Sequence, residues 1–385
     1  MKITKIECVK LDLPDGLKST PSTEKCWFNS DEVANPMSRF PKVKAHRKLW
    51  LPKWDSLWCK VTLEDGSWGL GLTDVGNIAA PIIKEHLAPN LIGEDAIAIE
   101  RISDMMFRLT KPYGTQGLAS YAISAIDLAL WDVKGKILKL PVSKLIGGPK
   151  NNKLFCYATG NDVHWYKELG FKAFKLACPY GPSDGLAGID KNEAFVENVR
   201  NVIGYENHLM LDCWMAFDVD YTVQLAERLK KYKLYWMEEC LLSEDLEGHI
   251  ELRNRLPWQT LTTGEHWYTH YPFMWALKNN VVDILQPDIN WVGGLTTCLK
   301  ISAAADSAGK KVILHAGGRN PYGQHFSHAS SSTPWLEYFV GADPGVPLSK
   351  TTLLPDQPVP VDGLIEPDDR HGFGLGIDEQ WLVPW

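Results

Sequence analysis

From residue 153 onward, short apolar runs alternate with amphipathic stretches. The runs are "LFCYAT", "FKAFKLAC", "HLMLDCW", "LYWMEECL", "TLTTGEH", "VDILQPD", "KVILHAG" and "WLEYFV". Segments with apolar residues at helical spacing, such as "VDYTVQLAERLKKY" and "GGLTTCLKISAAADSAGK", fit between them. Eight strand-like runs with helices between them predict an α/β fold, a modified (β/α)8 TIM barrel. The first 75 residues read differently: "KITKIECVKLDL" alternates, and "LWCKVTLEDGSWGLGLTDV" reads as two strands around a turn at Glu64, Asp65 and Gly66. Residues 14–55 lack periodicity, and so long a loop in a compact protein is usually functional, for instance a lid. Helical spacing takes over across 80–145. The pattern predicts an α+β domain over residues 1–128, the barrel over 129–345, and a Pro- and Asp-rich segment, 346–385, that returns to the first domain.

Charge and composition narrow the class. A net charge of −7 with no block of like charge argues against nucleic acid or an anionic membrane as partner. No apolar run reaches membrane-spanning length, and the start "MKITKIECVKLDLP" alternates like a strand and does not resemble a signal sequence. The eight cysteines are scattered, never form CxxC, and sit mostly in apolar runs, which predicts reduced core residues and a cytoplasmic location.

The chemistry lies in what ends the runs. Asp212 ends the third, Glu238 the fourth, Glu265 the fifth, Asp288 the sixth and His315 the seventh, and Glu337 lies in the eighth. The intervals of 26, 27, 23, 27 and 22 residues are each about one βα unit. In a barrel these side chains share the C-terminal mouth, where barrel enzymes build their sites. One such acid alone would more often be a cap or a solvated carboxylate. Three on adjacent strands repel unless a cation neutralises them, and an all-oxygen set suits Mg2+. Glu239, beside Glu238, is expected to point away on strand parity, leaving one ligand there. Asp288 beside His315 fits a dyad in which the acid fixes the tautomer and raises the basicity of the imidazole. His266, His270, His325 and His328 are other candidates, so the choice of His315 rests on strand position.

These residues carry a resemblance. Asp212, Glu238 and Glu265 followed by a dyad on the sixth and seventh runs is similar to the mandelate racemase subgroup of the enolase superfamily. "AIDLALWDVKGKILKLPVSKLIGG" resembles the segment that leads that family into its barrel. "LMLDCWMAFDVDY", "TTGEH", "QPDINWVGG" and "YATG" resemble the L-rhamnonate dehydratases of that subgroup. The resemblance implies an α+β cap, built from the N-terminal segment and the C-terminal tail, over a Mg2+-binding barrel. It implies Asp212, Glu238 and Glu265 as metal ligands, His315 as acid/base, Asp288 as its partner, and Glu337 as the group that stabilises the intermediate. Arg47, after "NPMSRF", matches a capping-loop arginine that contacts substrate. Two features depart from the dehydratase pattern. Cys26 stands before Trp27 where a histidine is usual, and the loop after His315 is longer and brings in Arg319 and Asn320. Both lie where substrate hydroxyls would be read.

The expected activity is that of a hydro-lyase, a sugar-acid dehydratase acting on an aldonate of the L-rhamnonate kind. His315 would remove the proton next to the carboxylate, and loss of the 3-hydroxyl would give a 2-keto-3-deoxy acid. Glu337, protonated, is expected to donate to the developing charge. Racemisation or epimerisation needs bases on both faces of the substrate. The second run offers Lys175 with Ala173 before it, and Lys175 reads equally as a second base, a carboxylate contact or a charge near the metal. A catalytically silent binding protein on the same fold would be expected to have lost part of the constellation. The small-molecule substrate, with no nucleic acid or membrane, and a homo-oligomer from dimer to octamer complete the expectations.

Overall fold

A computed structural model describes residues 1–40, 50–150 and 152–385. Strands β1 (Ile3–Leu11), β2 (Leu57–Leu63) and β3 (Trp68–Thr73) form an antiparallel meander. The glycines of "WGLGL" have a packing reason. A Cβ at Gly71 would sit 2.0 Å from the carbonyl oxygen of Ala125, so β3 lies directly on the long helix Leu118–Leu138. That helix is buried along most of its length because it is sandwiched between β3 and the barrel helix Gly294–Ser307. Asp127 accepts from Thr296 N (3.0 Å) at the start of the barrel helix, and Ser124 Oγ accepts from Gly293 N (2.8 Å). The helix also runs through the expected boundary at 128/129, since one face serves each side.

Eight parallel strands follow: β4 (Leu154–Thr159), β5 (Ala173–Ala177), β6 (His208–Asp212), β7 (Trp236–Glu238), β8 (Leu261–Thr263), β9 (Ile284–Leu285), β10 (Lys311–Val312) and β11 (Trp335–Phe339). They pair in chain order, with β11 beside β4. The curl closes between β10 and β11 through Val312 N to Ser332 O (3.1 Å) and Gly318 N to Glu337 O (2.7 Å). This is the barrel expected from the eight runs. Its interior floor is a layer of Tyr157, Ala173, Met210, Trp236, Ile284 and Ile313, with Trp335 packed against it. The C-terminal segment pairs β12 (Leu364–Ile365) with β4, then β13 (Leu382–Pro384) with β1. Among the described residues no helix is long and apolar enough to cross a membrane.

Asp132 ties these pieces together. It is fully buried and accepts from Leu70 N of β3 (3.0 Å) and from Phe373 N of the C-terminal segment (3.0 Å), with Lys136 Nζ at 2.7 Å. Removing it strands two buried N–H groups, each costing about 1–3 kcal/mol. Asp132→Ala should therefore lower stability by at least about 2 kcal/mol, measured by denaturant unfolding. A change within error would mean that the C-terminal segment is held by its strand pairing alone.

Candidate active site

Alternation along each strand places the mouth. Two residues beyond the floor residues Tyr157, Ala173, Met210, Trp236, Ile284, Ile313 and Trp335 come Thr159, Lys175, Asp212, Glu238, Gln286, His315 and Glu337. Period-two geometry aims both sets inward, the apolar set as floor and the polar set as the layer above it. Asp212 and Glu238 are the last residues of β6 and β7. Glu265, Asp288 and His315 lie just past the paired ends of β8, β9 and β10, and Glu337 lies within β11. All six side chains expected at one mouth are brought together there.

One oxygen from each of Asp212, Glu238 and Glu265 lies within 4.8 Å of the other two. Lys175 lies against two of them. Its Nζ is 3.2 Å from Asp212 Oδ2, donates to Glu238 Oε1, and is 2.8 Å from Glu337 Oε1. Burial disfavours the charged amine, but Glu238, Glu337 and Asp212 outweigh it and hold the pKa well above the usual lysine range. The other oxygen of Glu238 accepts from Trp236 Nε1 (2.9 Å) and Gln286 Nε2 (2.9 Å), and Thr262 orients that amide.

Glu337 differs from the expectation. Its Oε1 accepts from Thr159 Oγ1 (2.5 Å) as well as from Lys175, and its Oε2 accepts from Ala316 N (2.8 Å). Burial would raise its pKa, yet Lys175 and His315 pull it down to about 2. A carboxylate so surrounded by donors is an ionised acceptor, not a protonated donor. Thr159 and the Ala316 amide, which arrange this, are remote in sequence and carry no signal of their own.

His315 Nδ1 is 2.7 Å from Asp288 Oδ2, and its Nε2 faces Glu265 Oε2 at 3.5 Å. Asp288 is held from its other side by Asn290 N (2.7 Å). Burial opposes a charged imidazole, but Glu265 and then Asp288 keep the pKa of His315 well above the histidine range. A dication held at Glu265 would offset the pull of that carboxylate on the imidazole, while Asp288 at Nδ1 sets the tautomer.

Parity failed at Glu239. β7 ends at Glu238, and Glu239 has a left-handed backbone (φ +44°), so the alternation no longer applies. Its buried carboxylate meets His266 Nδ1 at 2.8 Å, and that nitrogen is 3.5 Å from Glu265 Oε1. One donor atom each from Glu239, Glu265 and His266 lies within 4.8 Å of the others. Burial works against the charge on His266, yet Glu239 raises its pKa to about 9. The other histidines separate cleanly. His325 is buried and accepts from Ser143 N (3.2 Å), and His270 stacks on Tyr271 away from the mouth.

The loop of residues 23–40 covers the mouth. Trp27 donates to Val340 O (2.8 Å), Trp27 and Phe28 pack on Phe339, and Ala34 N bonds Cys178 O (2.7 Å). The Trp50 ring packs at a tilt against Trp214, two residues after Asp212, with centres 5.8 Å apart. Arg47 lies outside the described residues. The Cys26 thiol is fully buried beside Trp27. Arg319 lies with its guanidinium 5.5 Å from the Phe339 ring centre and, among the described residues, pairs with no carboxylate. Asn320, its neighbour, is spent on structure: its side chain caps the helix Pro321–Ala329 by accepting from Gly323 N (2.8 Å).

Comparison with known proteins agrees with this geometry. Residues 161–381 match the enolase C-terminal domain-like model, and residues 56–147 match the mandelate racemase/muconate lactonizing enzyme N-terminal domain model. The chain is 40% identical over 362 residues to the L-rhamnonate dehydratase of Saccharopolyspora erythraea, covering 93% of this chain and 92% of that one. The crystal structure of rhamnonate dehydratase from Gibberella zeae complexed with Mg superposes with a TM-score of 0.92 at 32% identity, covering 100% of this chain and 96% of that one. The 3,6-anhydro-D-galactonate cycloisomerase of Zobellia galactanivorans superposes with a TM-score of 0.77 at 28% identity, covering both chains in full. With a two-domain match, a relative of this identity over nearly its whole length and a shared barrel mouth, the chain belongs to the mandelate racemase subgroup of the enolase superfamily.

Proposed function

We propose that this protein is a Mg2+-dependent hydro-lyase that dehydrates an aldonate of the L-rhamnonate kind to a 2-keto-3-deoxy acid. The observation that carries the reading is the trio of Asp212, Glu238 and Glu265 with the Nε2 of His315 3.5 Å from the third of them. The three carboxylates fit a hard dication, being all-oxygen and converging beside a cationic side chain. When bound, Mg2+ supplies a Lewis acid that offsets charge building on the substrate carboxylate as the neighbouring C–H bond breaks. The domain division, residues 1–128 with 346–385 as cap and 129–345 as barrel, belongs to this reading, as does a homo-oligomeric state.

His315 takes the C2 proton at Nε2 while Asp288 holds its other nitrogen. The 3-hydroxyl leaves as water with the proton that His315 has taken up, and the resulting enol tautomerises to the ketone. Lys175 supplies fixed positive charge next to the developing anion, while Glu337 holds that ammonium in place and does not itself donate. A lysine engaged by three carboxylates is poorly placed to serve as a second base, which favours dehydration over epimerisation. The covering loop excludes water from the mouth. Arg319, with no acidic partner among the described residues, is assigned to substrate oxygens, and Arg47 to the same task on the motif match.

Exhaustive chelation should abolish turnover and Mg2+ should restore it, followed by detection of 2-keto-3-deoxy product from a panel of aldonates. Asp212→Asn should weaken Mg2+ binding while the protein still folds; turnover in verified metal-free protein would sink the ligand assignment. Arg319→Ala should lower kcat/KM for the best aldonate by about tenfold, the loss of one charge-assisted hydrogen bond. An unchanged value would shift recognition to other cap residues.

The roles of the two bases separate in deuterated solvent. His315→Asn should cut dehydration by at least about a hundredfold, the usual contribution of a positioned acid or base, and stop C2 proton exchange. Lys175→Met should slow dehydration yet retain measurable exchange. Exchange that survives in His315→Asn and disappears in Lys175→Met would make the lysine the base.

A further inference from the structure

The cap touches the dyad by a route that the covering loop does not use. Asp74 directly follows β3, and its Oδ2 accepts from the indole Nε1 of Trp291 (2.8 Å), in the turn that carries Asp288. The Trp291 ring in turn packs on the imidazole of His315, with ring centres 4.9 Å apart. We propose that Asp74 is a positioning residue for the base: by holding Trp291 it sets the tilt of the His315 ring. The inference rests on the reading of His315 as the base and adds to it a control exerted from the cap.

Asp288 cannot do this alone. Its bond to Nδ1 holds the tautomer and one edge of the imidazole, whereas the face of the ring is held by packing. A base is effective only when its nitrogen stays within about 0.5 Å of the productive position, which requires a supporting layer behind it. Trp291 is that layer, and it is braced on several sides. The other oxygen of Asp74 accepts from Ser56 Oγ (2.8 Å), and the Tyr121 ring lies 5.6 Å from that of Trp291. The two residues before Asp74 engage the same turn. Asn290 Nδ2 donates to Leu72 O (2.8 Å), and Thr73 Oγ1 donates to Asn290 O (2.8 Å). Asn290 is also the residue whose N–H donates to Asp288. Thr73 and Asn290 are buried, so these bonds are sheltered from competing water. They fix where the turn sits, and the Asp74–Trp291 bond is the one that ends on a ring touching His315.

Steady-state kinetics with the best aldonate and crystal structures test the proposal together. Asp74→Ala should lower kcat by about tenfold or more with KM changed by less than about twofold, because substrate contacts stand while the base is tilted. Asp74→Asn keeps an oxygen to accept the indole N–H and should recover most of the rate. Trp291→Phe removes that N–H from the other side, and joining it to Asp74→Ala should cost little beyond the larger single loss. Mg2+ affinity, measured by calorimetry, should be the same in all of them, which separates a tilted base from a loosened mouth. An unchanged kcat in Asp74→Ala overturns the proposal, as does a loss confined to KM or to Mg2+ affinity, or one that Asp74→Asn does not repair. The crystal structure of Asp74→Ala reads the same contact without substrate. Trp291 and the His315 imidazole should both have left their places in the natural chain, and an unmoved imidazole overturns the proposal. If the natural chain turns over no aldonate while the imidazole moves in Asp74→Ala, the dehydratase reading falls and Asp74 keeps its role at His315.

Discussion

Carboxylates do not gather in a closed barrel mouth without positive charge between them, and here the ammonium of Lys175 supplies it. Its contacts to Asp212, Glu238 and Glu337 join four strands, β5, β6, β7 and β11, at one point. A fully buried lysine is costly by itself, and so is each buried acid; together the arrangement is tolerable because each group answers another. The small Ala173 beneath Lys175 and the Tyr157 ring 5.9 Å from its Nζ leave the long side chain room to rise from the floor into this position. The charge state of the whole mouth follows from that contact. Glu337 stays ionised because Lys175 is there, and Glu238 is oriented by Trp236 and Gln286 on the side Lys175 leaves free.

Much of this was legible in the chain because parallel barrels impose two periods at once. Strand alternation decides which residues face inward, and the length of the βα unit decides how often a strand end recurs. Asp212, Glu238, Glu265, Asp288, His315 and Glu337 satisfy both, so their convergence could be read without coordinates. The errors came where one period stops. Parity was applied to Glu239, but β7 has already ended there, and the left-handed backbone sends the residue to His266. Glu337 was expected to carry a proton because burial favours the neutral acid. Its donors, the Thr159 hydroxyl and the Ala316 amide, come from the two neighbouring strand ends, of β4 and beyond β10, and Thr159 lies 178 residues away in the chain, so no local pattern connects them to it.

Paired strands in this barrel are short, only two residues in β9 and β10, and the site residues beyond them stand on loop backbone. Positions there are fixed by specific bonds. Asp288 is held between Asn290 N and His315, and the loop after His315 is pinned where Gly318 N meets Glu337 O and Asn320 caps the next helix. Regular sheet brings the groups to the mouth, and these loop bonds set the angles on which proton transfer depends.

The charge network and the cover above it are held by separate sets of contacts. Asp212, Glu238, Glu265, Lys175 and the His315–Asp288 pair stand on strands that share a packed floor, so altering any of them disturbs several others. Trp27, Phe28 and Trp50 approach from the N-terminal segment and touch the barrel mainly at Phe339, Val340 and Trp214, on its rim. Changes in that cover cost packing at the rim but leave the charge network intact. Arg319 bridges the two, with backbone anchored in the loop after His315 and guanidinium set against Phe339 under the cover. That guanidinium has no carboxylate of its own among the described residues, so its donors are not spent on an ion pair. The departures from the rhamnonate dehydratase pattern at Cys26 and Arg319 meet at this point: burial of the Cys26 thiol removes one polar side chain from the cover, and the guanidinium adds another from the barrel side.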